Sequence, residues 1–144
     1  MYGYGYTSSR MDAVTLTVGR LSTRDAAIIA SSMTKAGSEF QQEVLAGKSK
    51  TPIAIIRDMH SPIIAWTATH EWDGMQTIEG FTSETYRRRG LARLGAAMLV
   101  AEGSIDTNKT TAVFAPYCVE IARSVGCRDV RLYERHGDGW VENS

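Results

Sequence analysis

The sequence predicts an α/β fold, of the α+β kind, in which a mixed and mostly antiparallel sheet is flanked by helices. Three observations lead to this class. Stretches rich in β-forming residues alternate with stretches whose apolar residues recur at helical spacing. Gly, Asp and Ser separate these stretches at short intervals. The length of 144 residues suits one domain, in which the elements follow the order β-α-α-β-β-β-α-β-α-β.

The chain divides into a short arm and one domain. Residues 1–12 include the run Tyr-Gly-Tyr-Gly-Tyr and predict an N-terminal arm that is flexible or docks on a partner. Residues 13–144 contain no repeat or internal linker and are expected to form a single domain. The arm is the segment to which we assign any self-association or contact with an assembly partner.

The first three elements are a strand and two helices. Residues 13–18 alternate and carry β-forming side chains, which predicts a strand. Ser22 begins a capping-box-like start, and the helix that follows is expected to end at Gly37. A second, short helix begins at Ser38 and is expected to end at Gly47, since glycine commonly closes a helix.

Three consecutive strands are predicted in the middle of the chain. They cover 53–57, about 62–70 and about 75–82, and each is rich in Ile, Thr and aromatic residues. The segments 58–61 and 71–74 contain the turn-forming residues between them. The three strands are therefore expected to form an antiparallel meander.

The last four elements are predicted as helix 90–103, strand 110–115, helix 116–125 and strand 129–134. In the first of these helices, larger apolar residues recur on one side and small residues adjoin them. The larger residues expected to face the core are Leu91, Leu94, Met98 and Ala101. The small residues expected to permit close packing are Gly95, Ala96 and Ala97.

Composition excludes several classes of protein. The net charge is zero, with 43% hydrophobic and 22% charged residues, so no overall field attracts nucleic acid or anionic lipid. Cys118 and Cys127 are too few for a disulfide scaffold and suit a reducing compartment. No apolar run approaches the length of about 20 residues needed to span a bilayer. We expect a cytoplasmic protein without a membrane partner.

A basic segment at a predicted strand-to-helix junction is the most informative local feature. Residues 86–92 read Tyr-Arg-Arg-Arg-Gly-Leu-Ala, so three arginines precede the start of a helix. That end of a helix carries unpaired N–H groups and a partial positive charge, which disfavours cations unless an anion binds there. Arg87, Gly90 and Ala92 also have the spacing Arg-x-x-Gly-x-Ala, with small residues where a backbone would approach a ligand. The pattern predicts a diphosphate-binding turn.

With this turn after the fourth predicted strand, residues 13–134 resemble the GNAT superfamily of N-acetyltransferases, most specifically over 81–93. The resemblance implies acetyl-CoA as cosubstrate and direct transfer of its acetyl group to an amine acceptor. It also implies that the backbone over 80–82 pairs with the pantetheine arm. The residues that it assigns to acetyl-CoA are Phe81, Thr82, Arg87, Arg88, Arg89, Gly90, Leu91, Ala92 and Arg93.

The resemblance is less complete for the general base. Gln76 occupies the position of one well-known base of the family, and an amide does not accept a proton at neutral pH. Glu79 is the only acid on that strand and is the candidate base, although strand alternation turns it to the other face. The alternative for Glu79 is a solvated charge at a strand edge. Further candidates near the preceding turn are His70, Glu71 and Asp73.

The proton donor for the departing thiolate is also displaced from the family pattern. The resemblance places a tyrosine near Ala122, a few residues before the pair that is Gly126-Cys127 here. Tyr117, one to two turns earlier, is the candidate acid, with Cys118 as a weaker substitute. The alternative for Tyr117 is a half-buried packing residue.

Four functions remain in competition. The first is acetyl transfer to an amine, and the second is a catalytically silent GNAT-fold module within a larger assembly. The third is a nucleic-acid contact made by the arginines at 87–89 and Arg93, with tyrosines for stacking, which the zero net charge and the single short cluster argue against. The fourth makes these arginines an ion-paired, solvated surface. We expect no metal site, because the histidines and cysteines lack ligand spacing.

No strong sequence pattern identifies the acceptor. The resemblance places its pocket among the helix at 38–46, the turn at 70–74 and the tail around Trp140. Trp66 and Trp72 are predicted as core and rim residues, with the wall of an acceptor groove as the alternative.

Overall fold

A computed structural model describes most of the second half of the chain. The residues that it describes are 14–19, 52–58, 63–87 and 90–143. The predicted arm at 1–12 and the two predicted helices between 22 and 47 lie outside these ranges.

The described residues form nine strands, two α-helices and one short 3₁₀ helix at Glu84–Tyr86. The strands are β1 (Val14–Gly19), β2 (Ile53–Asp58), β3 (Ile63–Ala68), β4 (Glu71–Trp72), β5 (Met75–Thr77), β6 (Glu79–Thr82), β7 (Thr111–Val113), β8 (Val130–His136) and β9 (Gly139–Glu142). The helices are α1 (Leu91–Ala101) and α2 (Pro116–Ser124). Neither helix of these ranges has the length and apolarity required to cross a membrane.

The strands form two sheets that meet along one stretch of chain. The first has the order β1-β2-β3-β6 and is antiparallel throughout. The second has the order β4-β5-β7-β8-β9, in which β7 runs parallel to both β5 and β8. The other pairs of the second sheet are antiparallel. The predicted class, a mixed and mostly antiparallel sheet with helices, is confirmed for the described residues.

The strand predicted at 75–82 is divided at Ile78. Its first part, β5, pairs with β7 through Gln76 and Thr77, whereas its second part, β6, pairs with β3. No pairing joins β6 to β7. We call the region where these strands have separated the wedge; it is bounded by β6 on one side and residues 114–116 on the other.

The helix α1 contacts the sheet on a face that matches the predicted one only in part. Leu94 and Met98 were expected in the core but are 44% and 37% exposed. Ala97 and Ala101, also expected to face the core or to allow close packing, are exposed as well. The buried residues of the helix are Leu91, Gly95, Ala96 and Leu99, so the predictions for Leu91, Gly95 and Ala96 are confirmed.

The physical reason is the close approach of α1 to β3. A Cβ atom built on Gly95 would lie 2.8 Å from Oγ1 of Thr67, so this position accepts only glycine without a shift. The same Thr67 hydroxyl donates a hydrogen bond to the carbonyl oxygen of Ala92, 2.8 Å away. Because the side of the helix with Gly95 and Ala96 contacts the sheet, the longer side chains of Leu94 and Met98 point to solvent.

One core joins both helices to the sheets. Its buried members are Ala54, Ile78, Leu99, Ile105, Val113, Cys118, Ala122 and Cys127. Partly buried Val130 and Leu132 of β8 pack against it. The burial of such apolar side chains supplies most of the favourable free energy of a fold of this size. Both cysteines are buried thiols.

Two hairpins were predicted incompletely. Glu71 and Trp72 belong to a short strand rather than only to a turn, and Asp73 and Gly74 connect it to β5 with φ angles of 50° and 75°. Two successive positive φ angles define the type I′ turn that suits a two-residue hairpin. The final strand, predicted at 129–134, extends to 136 and is followed by β9, which the sequence analysis missed.

Candidate functional site

The start of α1 presents backbone amides at the predicted turn. Gly90, its N-cap, is exposed and left-handed, with φ 71° and ψ 22°. The first intrahelical acceptor is the Gly90 carbonyl, which receives the N–H of Leu94 at 2.9 Å. The amides of Leu91, Ala92 and Arg93 precede that bond and have no carbonyl of their own helix to bind. Gly90 therefore lies at a strand-to-helix bend, as predicted.

The structure describes two of the four arginines near the start of α1. Arg87 is exposed and directly follows the 3₁₀ helix, and Arg93 is exposed on the first turn of α1. Arg88 and Arg89 lie outside the described residues. Leu91 is buried, so its side chain serves the core while its amide belongs to the helix start.

The outer edge of β6 faces the wedge. The N–H of Ser83 donates to the carbonyl of Ile64 at 2.8 Å, which fixes where β6 bonds to β3. Since such bonds alternate along an antiparallel pair, the backbone groups of Gly80 and Thr82 point away from β3. Both belong to the segment that the resemblance assigns to the pantetheine arm.

Two side chains reach the carbonyls of this edge. The hydroxyl of Tyr117 donates to the carbonyl of Gly80 at 2.7 Å. The Nε of Arg87 donates to the carbonyl of Thr82 at 3.1 Å. A ligand amide that pairs with these oxygens must share them with these side chains or replace them.

Gly80 defines which way each residue of β6 faces. A Cβ atom built there would meet the Cβ of Ala92 at 3.6 Å and the carbonyl oxygen of Trp66 at 3.3 Å, so Gly80 faces α1. Alternation along the strand then turns Glu79 and Phe81 to the opposite face. Phe81 is partly buried there.

Glu79 is partly buried, and one of its two carboxyl oxygens lacks a hydrogen-bond partner among the described residues. Its Oε2 atom is buried and unpaired. Burial disfavours the charged form and raises the pKa of Glu79 to about 7. The buried Oε2 atom argues against the alternative of a solvated edge charge. A carboxyl with a pKa near neutrality is suited to accept and release a proton at physiological pH.

Tyr117 and Cys118, at the start of α2, lie on the other side of the wedge. Tyr117 is 51% exposed, yet its hydroxyl is turned inward to Gly80, so it is not simply a packing residue. Burial of the phenol raises its pKa above the usual range, and the neighbouring Cys118 and Glu79 add to the shift. Burial likewise raises the pKa of the Cys118 thiol to about 12, with a further contribution from the charge of Glu79. Both groups stay protonated at neutral pH.

Gln76 serves the architecture. Its Nε2 donates to the carbonyl of Asp106 at 2.8 Å and to Oγ1 of Thr111 at 2.9 Å. Its Oε1 accepts the N–H of Asp106 at 2.9 Å. These contacts attach the loop before β7 to β5, so a structural amide occupies the position at which the resemblance places a base.

The other candidate bases lie on the β4–β5 hairpin. His70 is partly buried, its Nδ1 is 2.8 Å from the Thr77 hydroxyl, and burial lowers its pKa to about 4. It is therefore neutral at physiological pH. Glu71 and Asp73 are exposed. Within the ranges that the structure describes, no group of three His, Cys, Asp or Glu residues has a metal-binding arrangement.

Ala122 is fully buried in the helix–sheet core, at the position where the resemblance places a tyrosine. Thr67, in contrast, was missed by the sequence analysis although its hydroxyl fixes the carbonyl of Ala92. The signal in the sequence was one polar residue near the end of an otherwise apolar strand. The structure buries this residue fully.

The comparisons with known proteins give likenesses among solved structures. No family model and no curated protein matches the sequence. A ribosomal-protein-alanine N-acetyltransferase from Brucella melitensis biovar Abortus 2308 is 14% identical, with 78% of this chain and 87% of that chain covered and a TM-score of 0.49. A putative acetyltransferase from Salmonella typhimurium, solved with its cofactor acetyl-CoA, is 12% identical over 85% and 69% of the two chains, with a TM-score of 0.41. A putative phosphinothricin N-acetyltransferase is 17% identical over 87% and 75%, with a TM-score of 0.39.

Three solved acetyltransferase structures, two of them of putative enzymes, are thus similar to this chain. These are likenesses of fold. With identities of 12–17% and TM-scores below 0.5, they assign no residue role, acceptor or activity to this chain.

Proposed function

We propose that this domain binds acetyl-CoA along the wedge and transfers the acetyl group to an amine. One observation carries the proposal. The carbonyls of Gly80 and Thr82 are turned away from β3 on a strand edge that no described strand covers, next to the amides at the start of α1. A strand edge followed by a helix N-terminus suits a ligand that combines amides with a diphosphate.

The chain's residues fit such a ligand in two parts. The edge over 80–82 offers backbone groups to the amides of the pantetheine arm, with Phe81 and Thr82 in the pairing segment. The amides of residues 91–93 offer N–H donors to the diphosphate. Gly90 lets the chain turn into the helix without a side chain at the ligand. The basic residues expected to add charge there are Arg87, Arg88, Arg89 and Arg93.

When bound, acetyl-CoA supplies a thioester carbonyl and a thiol leaving group. Glu79 takes a proton of the incoming ammonium, because one oxygen of its carboxyl is unpaired and its pKa is about 7. Transfer from an ammonium of pKa about 10.4 to this carboxyl is uphill by about 5 kcal/mol, against about 8 kcal/mol for an ordinary glutamate. The nitrogen forms a bond to the acetyl carbon, the carbon–sulfur bond breaks, and the second proton of the nitrogen passes to the departing sulfur. Tyr117, which stays protonated, is the candidate donor of a hydrogen bond to that sulfur, in place of the bond that its hydroxyl donates to the carbonyl of Gly80.

The binding step is tested by the thermal stability of the protein with coenzyme A. A ligand at 100 times its Kd stabilises the folded state by about 2.7 kcal/mol, which raises Tm by several degrees. We expect Gly90→Asp to abolish that rise, since it places a negative charge at the helix start. Gly103→Asp is the matched control. It lies at the other end of α1, also has a positive φ (85° against 71°) and also has open space around it.

The two variants are expected to lose similar stability from the strained backbone, but only Gly90→Asp to lose the response to coenzyme A. An unchanged Tm of the native protein in millimolar coenzyme A contradicts the proposal. An equal response of both variants removes the helix start from the site.

The chemical step is tested by release of free thiol from acetyl-CoA with a panel of amines. The value of kcat/KM is expected to rise with pH through about 7, as Glu79 loses its proton. Glu79→Gln is expected to lower kcat by about 10²-fold or more while the Tm rise with coenzyme A persists. A rate unchanged by this substitution excludes Glu79 from the chemistry.

A second candidate is a module that binds coenzyme A without turnover. It is supported by the structural role of Gln76 and by the buried Ala122 at the expected tyrosine position. A coenzyme A-dependent rise in Tm without thiol release from any amine of the panel selects this candidate.

A further inference from the structure

Two exposed apolar side chains of α1 lie one helical turn apart. Leu94 is 44% exposed and Met98 is 37% exposed, and Ala97 and Ala101 beside them are exposed as well. These four positions have the spacing i, i+3, i+4 and i+7, which places them on one side of a helix. We call them the outer stripe. Single exposed apolar residues are ordinary on a protein surface, whereas a continuous apolar stripe is typical of a surface that another group covers.

The outer stripe lies on the side of α1 that is turned towards β1. In the first sheet the strands follow the order β1-β2-β3-β6. The Cβ of Ala92 lies 3.6 Å from a Cβ built on Gly80 of β6, and a Cβ built on Gly95 would lie 3.3 Å from that of Ala54 on β2. A step of three residues turns the face of an α-helix by about 60° in a constant sense. The next step, from Gly95 to Met98, therefore continues across the sheet from β2 towards β1.

The chain that precedes β1 leaves the sheet beside the start of α1. Along β2, Ala54 lies next to Gly95, in the second turn of the helix, whereas Ile56 shares a core cluster with Leu91, the first residue of the helix. The strand β1 contacts α1 and runs antiparallel to β2, and its first residue, Val14, lies beyond Ile56 in the same direction. The residues before β1 are thus joined to the sheet at the end of α1 where the outer stripe begins.

The arm predicted at 1–12 has a pattern that matches the outer stripe. Tyr2, Tyr4 and Tyr6 alternate with glycine. In an extended chain, alternate side chains lie on one face and recur about every 6.6 to 6.8 Å. Residues four apart on a helix, such as Leu94 and Met98, recur about every 6 Å along its axis. Three tyrosine rings of an extended segment are therefore spaced to lie against successive turns of the outer stripe.

The arm is also long enough to place these rings on the helix. Residues 7–13 connect Tyr6 to Val14. A segment of that length spans up to about 23 to 25 Å, and the 11 residues of α1 span about 16 Å. A short connection within one chain holds its two ends at an effective concentration in about the millimolar range, so a weak contact is sufficient for docking.

The chemistry of the two surfaces is complementary. A tyrosine ring has an apolar face and a hydroxyl that remains in water when that face is covered. The thioether of Met98 makes favourable contacts with aromatic rings, and the small side chains of Ala97 and Ala101 let a ring lie close to the helix. Residues 2–6 contain no charged side chain, so docking removes no charge from water.

We infer that residues 2–6 of this chain dock on the outer stripe of α1, with their tyrosine rings against Leu94 and Met98. The group that covers the outer stripe is the protein's own N-terminal segment, not a second copy or another protein. The inference does not depend on acetyl transfer, since neither the outer stripe nor the arm contains a residue assigned to acetyl-CoA.

The first experiment follows the methyl resonance of Met98 by NMR in the full chain with isotope-labelled methionine methyl groups. The resonance is assigned with Met98→Leu. An aromatic ring above a methyl group shifts its proton resonance upfield. We expect such a shift in the native protein, and we expect it to disappear when Tyr2, Tyr4 and Tyr6 are all replaced by serine.

The matched control is Ser8→Ala with Ser9→Ala, which changes the arm outside the docking segment and should leave the resonance of Met98 unchanged. Identical Met98 resonances in the native protein and the triple serine variant overturn the inference. An upfield shift that grows with protein concentration also overturns it, because it indicates that a second copy covers the outer stripe.

The second experiment changes the helix and measures the arm. Leu94→Ser combined with Met98→Ser removes the large side chains of the outer stripe at two exposed positions, so the variant should fold. Chymotrypsin cleaves after tyrosine, and cleavage within residues 2–6 should be about fivefold faster or more in this variant. That ratio corresponds to a native arm that is docked for about four fifths of the time or more. Val141→Ser is the matched control, since Val141 is 52% exposed on β9.

The thermal transition of each variant, measured beforehand, reports that it is folded. Equal cleavage rates in the native protein and the double serine variant overturn the inference. Cleavage of the native arm that slows as the protein concentration rises assigns the outer stripe to a second copy and overturns it as well. No acetyl-CoA is present in either experiment, so both results are independent of whether thiol is released.

Discussion

Gln76 and Glu79 lie on opposite faces of the chain segment 75–82, and their hydrogen bonding differs. Gln76, on the face towards the helices, has both its amide oxygen and its amide nitrogen bonded to Asp106 and Thr111. Glu79, three residues later and on the other face, has a buried oxygen without any partner and a pKa raised to about 7. One polar group serves the architecture and the other is left unsatisfied.

The contrast shows that the surroundings of a polar side chain, and not only its place on this strand, decide whether it can act on a ligand. A side chain whose hydrogen bonds are complete stabilises the fold and has no capacity to act on a ligand. Burial of a carboxyl oxygen without a hydrogen-bond partner disfavours the charged form of the group. This free-energy cost raises the pKa of the carboxyl towards 7.

The largest expected effect comes from Gln76→Glu, which introduces an acid at the position where the sequence resemblance places a base. The substitution removes two amide donors and places a carboxylate against the carbonyl of Asp106. We expect a loss of about 3 kcal/mol in the free energy of unfolding at pH 7, without any gain in acetyl transfer. Urea denaturation and thiol release measure the two quantities.

The same variant has an internal control in its pH dependence. The new carboxyl is expected to have a raised pKa in the folded state, so its penalty should shrink below pH about 4.5, where it is protonated in both states. A faster rate of acetyl transfer in Gln76→Glu would contradict the distinction between the two faces.

Glu79→Gln tests the other face, and here the stability is expected to increase. A carboxyl whose pKa is higher in the folded protein than in the unfolded chain contributes its full stability below pH 4.5 and loses it as the pH rises through about 7. The corresponding difference is about 3 kcal/mol. The variant should therefore unfold at a higher Tm than the native protein at pH 8 and at an almost equal Tm at pH 4.5.

Glu120→Gln, at an exposed position of α2, is the matched control and should show no such pH-dependent difference. Equal Tm values of Glu79→Gln and the native protein at pH 8 would mean that the carboxyl of Glu79 is not held in an unfavourable environment.

The smallest expected effect is that of Tyr117→Phe, which removes one hydrogen bond across the wedge. We expect a loss of about 1 kcal/mol in stability. Acetyl transfer should fall about tenfold through kcat if the hydroxyl assists the leaving sulfur. Tyr133→Phe is the stability control, because its hydroxyl contacts only a methionine sulfur among the described residues. An unchanged kcat of Tyr117→Phe excludes a role for its hydroxyl at the departing sulfur.

The sequence predicted the class of fold and the junction at Gly90, because strand alternation, turn residues and a glycine at a helix start are local signals. The predicted contact face of α1 was wrong at Leu94 and Met98, which are exposed. The hydrophobic pattern alone does not reveal that Gly95 lies close to Thr67. The strand β9 was missed because the short Gly137–Gly139 turn gave the only signal for it.

The candidate site was predictable only in part. The basic Arg-x-x-Gly-x-Ala segment is a sequence pattern, whereas the burial of Glu79 depends on neighbours from distant parts of the chain. The unpaired oxygen and the inward hydroxyl of Tyr117 both arise from long-range packing. Such contacts are not encoded in residue spacing.

The hydroxyl of Thr67 has a consequence for how fast and how tightly a ligand is captured. By holding the carbonyl of Ala92 against β3, it fixes the first turn of α1 relative to the strand beside it. The conformational entropy of ordering that turn is therefore lost during folding rather than on binding. Under the proposed function, a diphosphate that arrives at these amides meets an ordered helix start, so association should need no rearrangement of the helix, and affinity should be set mainly by the rate of dissociation.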